Sequence, residues 1–324
     1  MTGRLIPILL TLLLAGANTL PELMRRAEKG DGEALYHLAM LYDTGCDTIR
    51  PDTARSTALY IRAAEAGNIE AQNYLGYRLY KGEGAERDPE QALQWLETAA
   101  MAGSAKAASN LGFLLLEGEN VVHDAANAAY WLSRAADAGV ASAQSMLGDL
   151  YQLGKGVEKS LCRADSLYQL AFEAGLPDAG IKLYQLREPR YTSLSADSLT
   201  AEGLYFYTRS LASPAVRIFE RGAKMGDPQA LALMGDAYTR ALGVGYDHRK
   251  ALDCYASAAA EGYAPAMFII AELLEIFPDA VSDLSPPVAE KWKGLPTDAA
   301  YWMERARQGG IADAKAANKA LFDY

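Results

Sequence analysis

Cysteine, histidine and positive charge are all scarce in this 324-residue chain, which has three cysteines, three histidines and a formal net charge of -10. Cys46, Cys162 and Cys254 are odd in number and far apart, so no disulfide framework is available and packing must carry stability. No two cysteines or histidines approach metal-ligand spacing, and neither a metal nor a cofactor is expected. Nucleic acid is disfavoured as a partner, because an acidic chain would need a local basic stripe and none occurs. After residue 20 no apolar run is long enough to span a bilayer. β-Branched residues are sparse beside abundant alanine, which favours helix over sheet. The G-x-S-x-G, H-E-x-x-H and complete Walker patterns are absent, and a Ser-His-Asp or Cys-His site would have to be assembled from distant parts of the chain.

What is present begins with Met1 to Leu20, MTGRLIPILLTLLLAGANTL. A cationic Arg4, an apolar run from Leu5 to Leu14 and the small residues Ala15, Gly16 and Ala17 have the order of a secretory signal peptide over 1–17. Cleavage is expected after Ala17, giving an acidic exported protein, periplasmic or secreted, with a bacterial envelope as the expected setting. Ala17 stands where a lipoprotein signal would need cysteine, so this segment predicts no thioether lipid anchor. Thr19-Leu20-Pro21-Glu22 has the form of a capping box and predicts a lone helix running to Lys29.

The remainder repeats itself. Gly67, Gly103, Gly139 and Gly175 stand 36 residues apart, Gly226 and Gly262 keep the same interval, Gly30 opens the series and Gly310 closes it. Four residues after each comes an alanine: Ala34, Ala71, Ala107, Ala143, Ala179, Ala230, Ala266 and Ala314. Leu75-Gly76, Leu111-Gly112, Leu147-Gly148 and Met234-Gly235 follow, where a missing side chain lets a neighbouring helix approach. Asp52, Asp88, Asp124 and Asp247 each precede a second helix as its N-cap. That helix carries a large apolar residue eight before the glycine (Leu59, Trp95, Trp131, Leu167, Ile218, Trp302), a slot that Cys254 shares as a core residue. The glycine-rich LGYRLYKGEG at 75–84 looks at first like a phosphate loop, but its copies follow helices rather than strands.

Two intervals are longer. Gly175 to Gly226 carries its excess around Arg187 to Leu199, in a fifth copy without the Leu-Gly pair, and Gly262 to Gly310 carries a proline-rich excess from Phe277 to Thr297. Such insertions are expected to be loops on one face of the array, often near a binding face.

The string A-x3-LG-x-LY-x2-G-x-G, then D-x3-A-x2-W, then AA-x-x-G, best seen over Ala71 to Gly103 and Ala143 to Gly175, resembles the Sel-1-like repeat, a relative of the tetratricopeptide repeat. The resemblance covers about residues 30 to 314. It implies an all-α fold, a right-handed α-solenoid of about seven helix-turn-helix repeats with two longer insertions, acting as a non-catalytic adaptor for other proteins or peptides. The expected division is a signal peptide (1–17), a capping helix (18–30), four repeats (31–175), a degenerate repeat with insertion (176–226), further repeats interrupted near 277–297 (227–310) and a closing helix (311–324). Some secreted bacterial relatives carry a cysteine pair within each repeat and are associated with penicillin binding or β-lactamase activity. This chain has no such pairs, so that envelope hydrolase reading carries over poorly. By analogy with tetratricopeptide arrays, the partner groove falls on the first helix of each repeat: Tyr36, Met40 and Asp43; Asn73, Tyr77 and Tyr80; Ser109 and Phe113; Ser145, Asp149 and Gln152; Asp236 and Thr239. His37 is expected to pack between repeats, and His123 and His248 to flank capping aspartates in turns.

Overall fold

The computed structural model describes residues 20–46, 48–119 and 121–322, so the signal-peptide segment and Thr19 of the capping box lie outside the described residues. Among those residues the chain forms 18 α-helices and no strands, the helical solenoid class expected from the repeat. The helices fall into two compact units divided between Leu176 and Pro177. In the first unit the order is α1 (Leu20–Glu28), α2 (Gly32–Thr44), α3 (Thr53–Glu65), α4 (Ile69–Lys81), α5 (Pro89–Met101), α6 (Ala105–Glu117), α7 (Ala125–Asp137), α8 (Ala141–Leu153) and α9 (Leu161–Glu173). In the second it is α10 (Pro177–Arg187), a 3-10 turn (Glu188–Thr192), α11 (Ala196–Tyr207), α12 (Ala212–Lys224), α13 (Pro228–Arg240), α14 (His248–Ala260), α15 (Ala264–Ile276), a second 3-10 turn (Ala280–Asp283), α16 (Pro286–Trp292), α17 (Ala299–Gln308) and α18 (Ala314–Phe322). None of the described helices is long and apolar enough to cross a membrane.

Local chemistry explains where these helices start. Asp52, Asp88, Asp124 and Asp247 accept backbone N–H bonds from Arg55, Gln91, Asn127 and Lys250 at 2.9, 2.9, 2.9 and 3.0 Å, satisfying donors that a bare helix end leaves open. The periodic alanines from Ala34 to Ala266 are fully buried, whereas Ala314 is exposed as the first residue of α18.

Two kinds of glycine keep the period, for different reasons. Gly103 ends a helix at φ +98°, with nothing within 4 Å of where a Cβ would stand, so its requirement is backbone conformation. Gly76 lies mid-helix, where a Cβ would stand 2.6 Å from Leu96 Cγ on α5, so its requirement is space. Gly112 faces Leu132, Gly148 faces Tyr168 and Gly235 faces Tyr255 in the same way. Each such contact couples the two helices of one repeat.

The fifth copy differs from the sequence expectation. Its first helix is α11, not the segment after Gly175, and it has kept its glycine: a Cβ on Gly203 would stand 2.4 Å from Phe219 Cε1 on α12. Gly203 precedes Phe219 by 16 residues, whereas Gly76 precedes Leu96 by 20, so a shortened turn hides the pair from a fixed-period alignment. The inserted material is therefore α10 and its 3-10 turn, and Leu199 is core rather than loop. Buried Tyr191 fastens the insert by donating to Glu202 Oε1 at 3.1 Å, an oxygen that also accepts from Arg187.

The proline-rich excess is also built structure. It contains the second 3-10 turn and α16, whose Trp292 is buried with its ring centroid 4.8 Å from that of Trp302. Trp292 Nε1 donates to Ala256 O at 2.9 Å, so the insert lies on α14, the second helix of its pair.

Candidate functional site

Within the first unit, contacts run directly between the first helices of successive repeats. Tyr36 on α2 meets Tyr74 on α4 with centroids 5.9 Å apart, Asn110 Nδ2 on α6 donates to Asn73 Oδ1 at 2.9 Å, and Tyr80 meets Phe113 edge-on at 6.5 Å. The Ser109 and Ser142 hydroxyls are 3.2 Å apart across the next junction. This ladder consumes much of the groove expected from the sequence. Contrary to the groove expectation, Asn73, Tyr80, Ser109 and Ser145 are buried, because these positions pack against neighbouring helices. On α4 the side chain three residues before the in-helix glycine, Asn73, and the one four after it, Tyr80, turn towards α6.

A second subset holds tyrosines in place. Asp43 accepts from the Tyr60 hydroxyl at 3.0 Å and pairs with the Arg78 guanidinium, whose other nitrogen donates to Thr57 Oγ1 at 2.7 Å. The Tyr168 hydroxyl donates to Asp149 at 2.7 Å with the Gln152 side-chain amide also 2.7 Å away, and Tyr207 donates to Asp236 at 2.7 Å. Burial first, and the neighbouring carboxylate second, push the Tyr60 and Tyr168 phenols well above their ordinary range, so both remain neutral donors. Asp43, Asp149, Gln152 and Asp236 are thus half-buried clamps. Thr239 is exposed, with its hydroxyl turned back to Gly235 O at 2.8 Å.

What remains open on the first-helix face is aromatic. Tyr77 and Phe113 occupy the position after the in-helix glycine on α4 and α6 and are exposed at 43% and 38%. Tyr74 is exposed at 38% although one ring face stacks on Tyr60 at 5.6 Å. Tyr36 and Met40 are half-buried beside them, and Lys81 Nζ lies 5.9 Å from the Tyr77 centroid. The strip offers apolar area with hydroxyl tips on a framework locked by the Asp43–Arg78–Tyr60 network, a combination suited to recognising another chain.

The repeat assignment is decided by a family match: the Sel1 repeat matches residues 32–68, 69–104, 105–140, 141–176 and 228–263. The chain belongs to the Sel1 repeat family. The stretch passed over, from 177 to 227, is where α10 is inserted and the α11–α12 pair is shortened, which gives a physical reason for the gap. Among related proteins, the ERAD-associated E3 ubiquitin-protein ligase component HRD3 of Candida glabrata is 36% identical over 64 residues, 19% of this chain and 8% of HRD3. Among solved structures, a protective antigen of uropathogenic Escherichia coli with an SLR fold is 26% identical with a TM-score of 0.49, over 94% of this chain and 58% of the antigen. A Sel1 repeat protein from Oxalobacter formigenes is 23% identical with a TM-score of 0.38, over 86% and 89% of the two chains. This Sel1 chain therefore spans a small part of HRD3 and somewhat over half of the antigen.

The polar residues weighed for catalysis occupy separate elements of the Sel1 array. His37 is on α2, with its ring 5.4 Å from Tyr36 and its Nε2 3.7 Å from Glu33. His123 Nε2 is 3.0 Å from Gly118 O in a turn of the same unit, and His248 opens α14 in the other unit. Cys162 is exposed on α9, and Cys46 bridges to Ile49 in the turn after α2.

Proposed function

We propose that this Sel1 repeat protein is an exported, non-catalytic scaffold that holds a protein or peptide partner against the strip formed by Tyr74, Tyr77 and Phe113. Family membership supports the protein-interaction role. The observation that carries the location is the pair of aromatic rings left exposed at equivalent positions of adjacent first helices, Tyr77 on α4 and Phe113 on α6. A solenoid buries its apolar surface between repeats, so rings left open at the same register cost solubility without adding to the core.

The test uses the processed chain as bait against extract from the producing cells, compared with a Tyr77→Ala, Phe113→Ala double variant. Both rings are exposed, so the variant should lose about 1 kcal/mol or less of stability, mainly the Tyr80–Phe113 edge contact. Binding of the retained partner should weaken at least tenfold, as aromatic contact residues typically do. Undiminished recovery by a folded double variant would remove the strip from the partner site.

Export is the other half of the proposal and rests on the order of charge, apolar run and small residues over 1–17. Mass spectrometry of the protein from fractionated cells is expected to find a chain beginning at Asn18 outside the cytosol. An intact Met1 in the cytosolic fraction would overturn it.

A further inference from the structure

The slot eight residues before the repeat glycine holds tryptophan at Trp95, Trp131 and Trp302 and a branched aliphatic residue at Leu59, Leu167 and Ile218, but the smaller cysteine at Cys254. The consequence is visible in what the slot covers. In the register of Trp131, Ala100 on α5 and Ala108 and Leu115 on α6 are 2%, 3% and 8% exposed, with Trp131 itself at 4%. The positions of the second unit that occupy the same register are Ala223, Leu231, Tyr238 and Cys254. All four are half-buried, and with Met234 they line a recess of about 370 Å³ between α12, α13 and α14. That volume lies at the small end of the roughly 300–1,000 Å³ range of ligand pockets.

We propose that the recess at Cys254 receives an indole ring, the tryptophan side chain of a partner protein, which completes in trans the packing that Trp131 supplies in cis. Ala223, Leu231, Met234, Tyr238 and Cys254 give an apolar and aromatic lining beside the charged Glu220, Lys224, Lys250 and Asp253, and Lys250 Nζ stands 5.4 Å from the Tyr238 ring, where it can also lie over an incoming π-face. Cys254 forms part of the lining and acts by being small. Burial pushes its thiol up to about 12, so it stays protonated and serves as an apolar surface. This site is on the other unit from the Tyr77–Phe113 strip, and each can fail without the other.

The probe is free indole, titrated into the full chain carrying methyl-labelled methionine, with the Met234 methyl resonance as the local readout. Saturable movement of that resonance is expected for the wild type. It should persist in Cys254→Ala, which removes the thiol but keeps the space, with an affinity within about threefold. It should vanish or weaken at least tenfold in Cys254→Trp, which fills the recess from within, while the helical signal is kept and the midpoint of thermal unfolding rises. A Met234 resonance indifferent to indole would overturn the proposal. So would loss of binding in Cys254→Ala, which would make the thiol rather than the shape the determinant. Failure of Cys254→Trp to fold would overturn it as well, because the recess would then not admit an indole.

Discussion

Replacing Arg78 by alanine is expected to destabilise the first unit by about 2–3 kcal/mol, more than any change on the exposed strip. Arg78 is only 8% exposed, and its two terminal nitrogens serve different partners, Thr57 Oγ1 and Asp43. Its guanidinium carbon also lies 4.9 Å from the Tyr60 ring centroid. Deleting it takes the counter-charge from the Asp43 carboxylate, which keeps only the Tyr60 hydroxyl among these partners, and a donor from the Thr57 hydroxyl, which still donates to Thr53 O, at the junction of the first two repeats. Breaking a fully buried pair costs about 3–5 kcal/mol. The Asp43 side chain is 22% exposed, so water recovers part of that cost. Arg78→Lys should restore less than half, because a single ammonium cannot reproduce the planar fork that reaches both oxygens. Denaturant unfolding gives the magnitude, and hydrogen exchange should show the loss concentrated in α2 to α4, since a repeat array responds locally. An Arg78→Ala protein within about 0.5 kcal/mol of wild type would show that the network positions side chains without stabilising the unit.

Gly203→Val is expected to cost about 2 kcal/mol in the second unit. A Cβ at Gly203 would stand 2.4 Å from Phe219 Cε1 and 2.6 Å from Cδ1, and Phe219 is fully buried. Two effects compete when glycine leaves a helix. The better helix propensity of an ordinary residue returns up to about 1 kcal/mol. Forcing extra carbon into a packed contact costs about 1–3 kcal/mol, and a β-branched residue has little rotamer freedom with which to avoid it. Overpacking therefore wins. Gly245→Ala is the matched control, because its Cβ would meet nothing within 4 Å and its φ is not positive. It should change stability by less than about 0.5 kcal/mol. Equal tolerance of both substitutions would mean that α11 and α12 do not form a Sel1-like pair, and the register assigned to the fifth copy would be wrong.

That register shows how far the sequence could be read. The four copies with an unbroken period were legible because their glycines, alanines and capping aspartates answer local requirements, namely a left-handed backbone, a tight contact and an unpaired N–H. The fifth copy escapes a fixed period because the spacing from its in-helix glycine to the facing side chain is four residues shorter, and an alignment at fixed spacing cannot follow that change. The signal that could have found it was Gly203 standing 16 residues before the aromatic Phe219, with the spacing allowed to vary.

The candidate face divided along the same line. Helical periodicity placed Tyr77 and Phe113 on the first helices and the structure leaves them open, but it could not separate them from Tyr80, one turn along α4 and buried. The difference comes from the next repeat, whose Phe113 lies against Tyr80. It could not find Tyr74 either, because the exposure of that ring depends on how Tyr36 and Tyr60 lie beneath it.

The sequence by itself determined the helical class, the repeat length, the N-caps and the in-helix glycines of the regular copies, since each is written in residues close together along the chain. Only the tertiary structure decided which first-helix side chains stay exposed, that the two insertions are packed helices, and that Cys254 borders a recess where Trp131 fills one. Those outcomes depend on the volume supplied by a neighbouring repeat, which no local pattern records.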